Sequence, residues 1–582
     1  MVGGRMSLLA HVSSTHDPSV SGPAEVSARS FPATRLAVLT ILTVMTAQVV
    51  FLTVGCDWDL SGDEAEFWTW SRRLDWSYFA RGPLIAWLIG LSTWVGGVLN
   101  PGSTVDTMPE VRIPAVLLGG LTAWGVFRLS MDVVGRPRAA LLAVLLMPAI
   151  PVLAIGGVLI TCDTPLVCCW TWAAVWCFRA WRDDRLMDWV AAGFIVAAGV
   201  LAKYSMLALP ASVGLFLLLD RRGRAHLIKP GFWVMSVIGV ILGLAPIVIW
   251  NANHHWVGLG QLADRVGLSE RSVWGSIVPL FAFLGGEIAA LGIVWWFVGF
   301  NALISAGRRV VGARAETEAA AVGERSGLIY LLCLWGVIWS ACFVASLLGE
   351  TEANWMVPGY ISLVVLSGVG LERIFLAGGF RPKAIVVAWS GCVALISLLH
   401  HTEWTYPLAA RFVPAPTKRW PAPLRRFDPT CRLRGHDDLA RKVDLILAKL
   451  RARGEDPFVL TTTYALTATM EFQLAGQPET YCLSWNYGMT RDPVNQHDLW
   501  RPNPRLDLEA FRGRTGVLID DSNMPPSFAN QMVEKGVFGS MESTERLVVS
   551  EGGLAVGAWD IAICHDYRGL ASYKQNPWKK QK

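Results

Sequence analysis

What this sequence has little of is charge. Asp, Glu, Lys and Arg make up 17% of its 582 residues, while apolar and aromatic residues make up 53%; an ordinary soluble domain carries roughly a quarter charged residues. That shortage excludes a conventional soluble enzyme and points to a membrane protein. Long basic tracts are missing as well. The net charge of +5 is small for this length, and the basic residues sit in short clusters between apolar runs, so nucleic acid is not an expected partner. The eleven cysteines lie partly inside apolar runs such as "LVCCWTWAAVWCF" and lack the paired spacing of a zinc site. Pairing among Cys431, Cys482 and Cys564 stays open. Beyond residue 430 neither a P-loop nor a G-x-G-x-x-G motif occurs. The first 35 residues have no apolar core with a cleavage site, so residues 1–35 are expected to form a disordered cytosolic tail rather than a cleaved signal.

What is present is apolar length. About 20 apolar residues cross a bilayer, and about eleven stretches qualify, near 36–54, 112–134, 139–158, 165–181, 188–202, 205–219, 231–250, 275–303, 327–348, 355–375 and 384–400. A cytosolic N-terminus then places Arg136, Arg138, Arg182, Arg185, Arg221, Arg222, Arg224, Lys229, Arg308, Arg309, Arg314, Arg381 and Lys383 inside. The loops "ITCDTP" and "GETEANW" fall outside without Lys or Arg, which is the positive-inside asymmetry. The expected architecture is a multi-pass α-helical domain over 36–400 in the cytoplasmic membrane. A Pro-rich linker (401–429, "RFVPAPTKRWPAPLRRFDP") and a small extracytoplasmic α/β domain (430–582) follow. In that domain "HDDLARKVDLILAKLRARG" has helical periodicity, and "PFVLTTTY", "GRTGVLIDD" and "GGLAVGAWDIAIC" read as strands.

The stretch "LSGDEAEFWTWSRRLDWSYFARGPLIAWLIGL" lies on the outer face between the first two spans and is long enough for one or two interfacial helices. Ser61 followed by Glu64 is a capping box, and Asp63 also suits a helix N-terminus. Capping does not account for the isolated charges that recur on the same face. These are Asp163 in "TCDTP", Lys203 at the end of a short span with no acid adjacent in sequence, and His254, His255 and Arg265 in "WNANHHWVGLGQLADRVG". Taken singly, Asp163 could be a turn residue, Lys203 a snorkelling one, and the histidines interfacial polar residues or metal ligands. Together they put carboxylates and cations at one membrane surface. That equipment suits transfer from a lipid-linked phosphate to a hydroxyl, in which a carboxylate takes the hydroxyl proton and cations hold the departing phosphate.

In order along the chain, "DEAEFWTWSRRLDWSYFARGPLIAWL", "GVLITCDTPLVCCW", "GVLAKYSMLALP", "IVIWNANHHWV" and "EANWMVPGYISLV" resemble the successive motifs of bacterial polyprenyl-phosphate-sugar glycosyltransferases. These are the relatives of aminoarabinose lipid A transferase and protein O-mannosyltransferase, with the C-type glycosyltransferase fold. The tail segments "TTTYALTATMEFQLAGQPETYCL" and "NQHDLW" resemble the soluble C-terminal part of such proteins. The resemblance implies an acidic catalytic residue in the first outer loop, a lipid-phosphate donor and inversion at the anomeric carbon. It matches Asp63 and Glu64 to the Asp-Glu motif, Asp163 to the acid of the second outer loop and Lys203 to a donor-phosphate lysine. Arg81-Gly82-Pro83 stands where His-Pro-Pro is frequent, which keeps a basic group and is expected to loosen the backbone. Glu287, in "FLGGEIAAL", stands where a neutral residue is expected.

The reading is therefore an inverting hexosyl- or pentosyltransferase that uses a polyprenyl-phosphate sugar and a glycolipid acceptor such as lipid A, or a protein. Asp63 is the expected general base. Glu64 orients Asp63 or the acceptor, or only caps its helix. Lys203 and Arg81 neutralise the phosphate, and Asp163, with His254 or His255 as metal ligands, holds a divalent cation or the acceptor. The competing class is a transporter or flippase, which would carry ionisable residues at mid-span and a repeat between halves. Glu287 is the main mid-span acid, and no repeat is evident.

Overall fold

The computed structural model describes residues 31–569 apart from positions 80, 427 and 494 and the segments 261–272, 313–318, 349–351, 399–400, 418–419, 484–492 and 522–527. The expected N-terminal tail lies almost wholly outside the described residues, as does Arg265.

A helical bundle accounts for most of the chain. It begins with α1 (Ala33–Val50), which runs on through a wider π turn to Gly55. Two helices then lie in the former loop, α2 (Gly62–Ser71) and the apolar α3 (Leu84–Leu99). The bundle continues through α4 (Met108–Val134), α5 (Pro137–Leu146), α6 (Asp163–Asp183), α7 (Leu186–Ala202), α8 (Ala208–Leu219) and α9 (Pro230–Asn253). It closes with α10 (Val273–Leu291), α11 (Ile293–Gly312), α12 (Ala319–Leu348), α13 (Val357–Ala377) and α14 (Phe380–Leu398).

Among the described residues six helices are long and apolar enough to cross a bilayer unaided, or seven if one bent pair counts as a single span. Of the remaining expected spans, 188–202 and 205–219 are shorter helices, 165–181 is the uninterrupted 21-residue α6, less apolar than those six, and 139–158 is interrupted. The stretch 139–158 gives way after Leu146 to a short 3-10 turn and then to a helical turn over Pro151–Gly156, because Pro148 and Pro151 each withhold a backbone donor. The expected single span 275–303 is a correction. It is two helices, α10 and α11, bent by 102°, with Gly292 between them at φ +77°, a conformation that only glycine adopts without strain.

The C-terminal part is an α/β unit. Its five strands, β1 (Pro457–Thr461), β2 (Tyr481–Cys482), β3 (Thr515–Asp521), β4 (Phe538–Glu551) and β5 (Leu554–Tyr567), lie in the order β2-β1-β3-β5-β4. β1 is parallel to β2 and β3, and β5 is antiparallel to β3 and β4. The β4–β5 turn is Gly552-Gly553, both at positive φ, as a tight hairpin requires. On α15 (His436–Ala452) the residues Leu439, Val443, Leu447 and Leu450 form the buried stripe against Val459, Ile519 and Ile561. Tyr406 and Leu424, from the segment expected as a linker, join the same core, and Ala422 packs against Ala555 and Ala558. Proline there shapes a chain laid on the sheet. Cys431 and Cys564 are buried free thiols, and Cys482 Sγ accepts a hydrogen bond from Asn495 at 3.6 Å.

Candidate functional site

The capping box of "SGDE" is formed. Ser61 Oγ accepts from the Glu64 amide at 3.3 Å, and Glu64 Oε2 accepts from the Ser61 amide at 3.0 Å. Glu64 does more than cap. Arg112, on α4, grips it with two 2.9 Å hydrogen bonds, Nε to Oε1 and Nη2 to Oε2, and the Ile160 amide donates to Oε1 at 3.0 Å. Arg112 also donates to the carbonyls of Asp59 (2.7 Å) and Trp58 (3.2 Å). Both side chains are completely buried. A carboxylate that accepts four hydrogen bonds has no lone pair to spare for substrate, so Glu64 is placed as a structural anchor rather than a reacting group. Arg112 escaped the sequence reading because it sits inside an apolar run. Its only signal was that an arginine there needs a buried acid.

Asp63, one residue earlier, turns the other way. It is exposed at the rim and its carboxylate has no hydrogen-bond partner among the described residues. The protein around it still raises its pKa above the ordinary aspartate value, mainly by desolvation, with Arg81 opposing, Glu352 adding to the rise and Arg432 also opposing. Arg81 is held beside it by a close packing contact. A Cβ on Gly82 would come within 2.1 Å of the Leu201 carbonyl oxygen, so only glycine lets this loop press on the end of α7. The Arg-Gly-Pro sequence thus has a tight constraint of its own, contrary to the expected loosening.

The end of α7 delivers Lys203. Its Nζ donates to Asp163 Oδ1 at 2.7 Å, and Asn354 Nδ2 donates to Asp163 Oδ2 at 2.9 Å. Lys203 therefore has an acidic partner, forty residues back in sequence, and the expectation of an isolated lysine is corrected. Lys203 and Asp163 are buried at 9% and 8% exposure. Asp163, Thr161, Thr164 and Asn354 are among the polar residues that line a cavity of about 820 Å³. The rest of the cavity is walled largely by apolar residues of α1, α4, α10 and α14, among them Ile41, Val44, Ala123, Ala290 and Val393. Asn354 was legible only as a polar residue before a long apolar run.

The histidines are not part of this cluster. His254 caps α9, stacks on Trp250 with ring centroids 4.1 Å apart, and places Nδ1 2.8 Å from the Trp250 carbonyl. His255 follows in left-handed backbone at φ 56°. Among the described residues no three His, Cys, Asp or Glu side chains gather as a metal-binding group. Asp163 already carries an ammonium and an amide, and that donor set does not fit a divalent cation.

The C-terminal unit packs on α2 and holds it. Its helix α16 (Tyr464–Gln473) lies so close that a Cβ on Gly62 would come within 2.6 Å of Ala465 Cβ. Arg72 Nη1 reaches Glu471 Oε1 at 3.1 Å, Gln473 Nε2 donates to Asp59 Oδ1 at 2.8 Å, and the His436 amide donates to Asp59 Oδ2 at 2.7 Å. Further along, the Phe79 amide donates to Gln496 Oε1 at 2.7 Å. The helix and the loop that carry Asp63 and Arg81 are therefore held by residues some 400 positions away.

A helical membrane bundle with an acidic first loop and a C-terminal α/β unit is the C-type glycosyltransferase fold expected above. Residues 80–250 match the family model described as dolichyl-phosphate-mannose-protein mannosyltransferase. The lipid A galacturonosyltransferase RgtD of Rhizobium johnstonii is 22% identical over 333 residues, which are 57% of this chain and 65% of that protein. The chain thus spans somewhat less than two thirds of that relative. The crystal structure of apo ArnT from Cupriavidus metallidurans aligns with a TM-score of 0.52 at 17% identity, covering 91% of this chain and 98% of that one. A structure of ArnT from the same organism bound to undecaprenyl phosphate aligns at 0.49, with 17% identity over 93% and 99% of the two chains.

Proposed function

We propose that this protein transfers a sugar from a polyprenyl-phosphate donor to an acceptor hydroxyl at the end of the bundle that carries the C-terminal unit. The observation that carries the reading is Asp63, a carboxylate left without a hydrogen-bond partner among the described residues, beside Arg81 and at the same end as the buried Lys203–Asp163 pair. In this mechanism Asp63 removes the acceptor proton as that oxygen attacks the anomeric carbon, and the sugar–phosphate bond breaks with inversion. Arg81 takes up the charge that develops on the phosphate, and a bidentate fork suits that group. An ammonium has three donors and Lys203 gives one to Asp163, so it can also orient a phosphate oxygen. The apolar cavity suits the polyprenyl chain. The family description names a lipid-phosphate sugar and the curated relative's name a lipid A acceptor. A glycolipid acceptor such as lipid A is our first reading, and a protein acceptor the second.

The test is transfer by purified protein from undecaprenyl-phosphate sugars to lipid A, read by mass spectrometry. Asp63→Asn should lose transfer and keep undecaprenyl phosphate binding. Transfer within a few-fold of wild type would overturn the assignment.

A further inference from the structure

A short helix, Thr402–Ala409, follows α14, and its two faces differ. Thr402 and Tyr406, one turn apart, are buried. Thr402 Oγ1 donates to Glu551 Oε2 at 3.2 Å, Tyr406 Oη donates to Asp428 Oδ2 at 3.0 Å, and the Tyr406 ring joins the core of the α/β unit. A Cβ on Gly552 would come within 2.8 Å of Tyr406 Cβ, so the helix lies directly on the β4–β5 turn. Trp404 and Leu408 follow those two residues by two positions each, about 200° around the helix. They are 61% and 64% exposed. The chain winds through one further turn, with the Val413 amide donating to the Ala409 carbonyl at 3.1 Å. That turn adds Phe412, 87% exposed, to the same side. His401, which lines the cavity, stacks on Trp404 with ring centroids 4.7 Å apart.

Large apolar side chains repeated along one exposed face mark an interaction surface rather than scattered exposure. The position of the helix says what meets it. α14 is long and apolar enough to cross a bilayer, buries no residue among the described ones and turns Val387 and Leu395 outward. Its surface therefore meets lipid. From Leu398 at its end to Thr402 is four residues, a reach of about 14 Å at full extension, so the helix cannot leave the neighbourhood of the membrane surface. Tryptophan is favoured at that depth, and a helix with one apolar and one polar face lies in the plane of the interface. Arg411, exposed beside Phe412, suits the lipid phosphates. We propose that this helix and the turn after it form an interfacial anchor. The face of Trp404, Leu408 and Phe412 sits in the leaflet on the side of the C-terminal unit, and the face of Thr402 and Tyr406 carries the β4–β5 turn of that unit. The partner is the lipid surface itself, and the anchor is independent of the sugar and the acceptor.

The test uses the full-length protein in vesicles of phosphatidylethanolamine and phosphatidylglycerol, with the photo-crosslinking residue p-benzoylphenylalanine in place of Trp404, Leu408 or Phe412. Illumination should attach lipid at all three positions, severalfold more than at Arg451. That control is exposed in the last turn of α15, at the far end of the helix from the His436–Asp59 contact. Adducts that join two copies of the protein in preference to lipid would overturn the anchor in favour of self-association. Lipid yields no higher than at Arg451 would overturn it outright. The second half of the proposal is read separately, by hydrogen exchange in the same vesicles. Trp404→Ser combined with Leu408→Ser alters only exposed positions, so β3 should keep its protection. The amides around Gly552 and Gly553 should exchange severalfold faster, as a turn that has lost its support opens locally. Unchanged exchange at that turn would overturn the role of the helix in carrying the unit.

Discussion

Lys203 Nζ lies 2.7 Å from Asp163 Oδ1 and joins the end of α7 to the start of α6 in a buried ion pair. Removing one member of such a pair leaves an uncompensated charge and costs about 3–5 kcal/mol. Lys203→Ala should therefore lower thermal stability markedly, as should Asp163→Asn. The double variant should regain most of that loss. If Lys203 also orients phosphate, the stable double variant stays inactive; recovered transfer would restrict the pair to a structural role.

Asp63 should be visible in the pH profile. A general base works ionised, and desolvation by the surrounding protein has raised its pKa while Arg81 holds it down. Activity should fall as pH drops through a value above the ordinary aspartate range. Arg81→Gln should move this acid limb to still higher pH. Asp63→Asn should cost about 10²–10⁴ in rate, and a kcat/KM profile whose acid limb stays put in Arg81→Gln would contradict the assignment.

Glu64 predicts a different phenotype. Glu64→Gln keeps a capping side chain but strips the countercharge from a fully buried Arg112. The expected outcome is a stability loss of about 3–5 kcal/mol, with the acid limb of the surviving enzyme unmoved. A shift of that limb in well-folded Glu64→Gln would return Glu64 to the reacting centre.

On the proposed reading, the clamp between α2 and α16 ties the C-terminal unit to the helix that carries the base Asp63. Truncation near Arg411 should lower the chemical step itself and not only acceptor choice, since Gly62, Asp59 and Arg72 all lose their supports. Single-turnover transfer by the truncated protein at near-normal rate would disprove this.

Glu471 gives the same interface a pH signature. Burial pushes its carboxyl up to about 7 from an ordinary 4.5, against the opposing Arg73 and Arg72. Between those values the folded protein binds a proton that the unfolded chain has released, so stability is full below about pH 4.5 and declines as pH rises through 7. Thermal unfolding followed from pH 4.5 to 8 should show that decline, and Glu471→Gln should flatten it.

The sequence by itself determined the class of architecture. Apolar runs of bilayer length, the segregation of Arg and Lys, and the change to ordinary strand and helix periodicity after residue 430 are properties of local composition, and they carried the helical bundle and the α/β unit. The capping box was legible for the same reason, since its partners are three residues apart. Only the tertiary structure decided which charges meet. Glu64 and Arg112, Asp163 and Lys203, and Arg72 and Glu471 are separated by 48, 40 and 399 positions, and nothing local announces them. Chain folding also split Asp63 from Glu64. On a helix, adjacent side chains point about 100° apart, so one acid was turned into the buried arginine and its neighbour out toward the site.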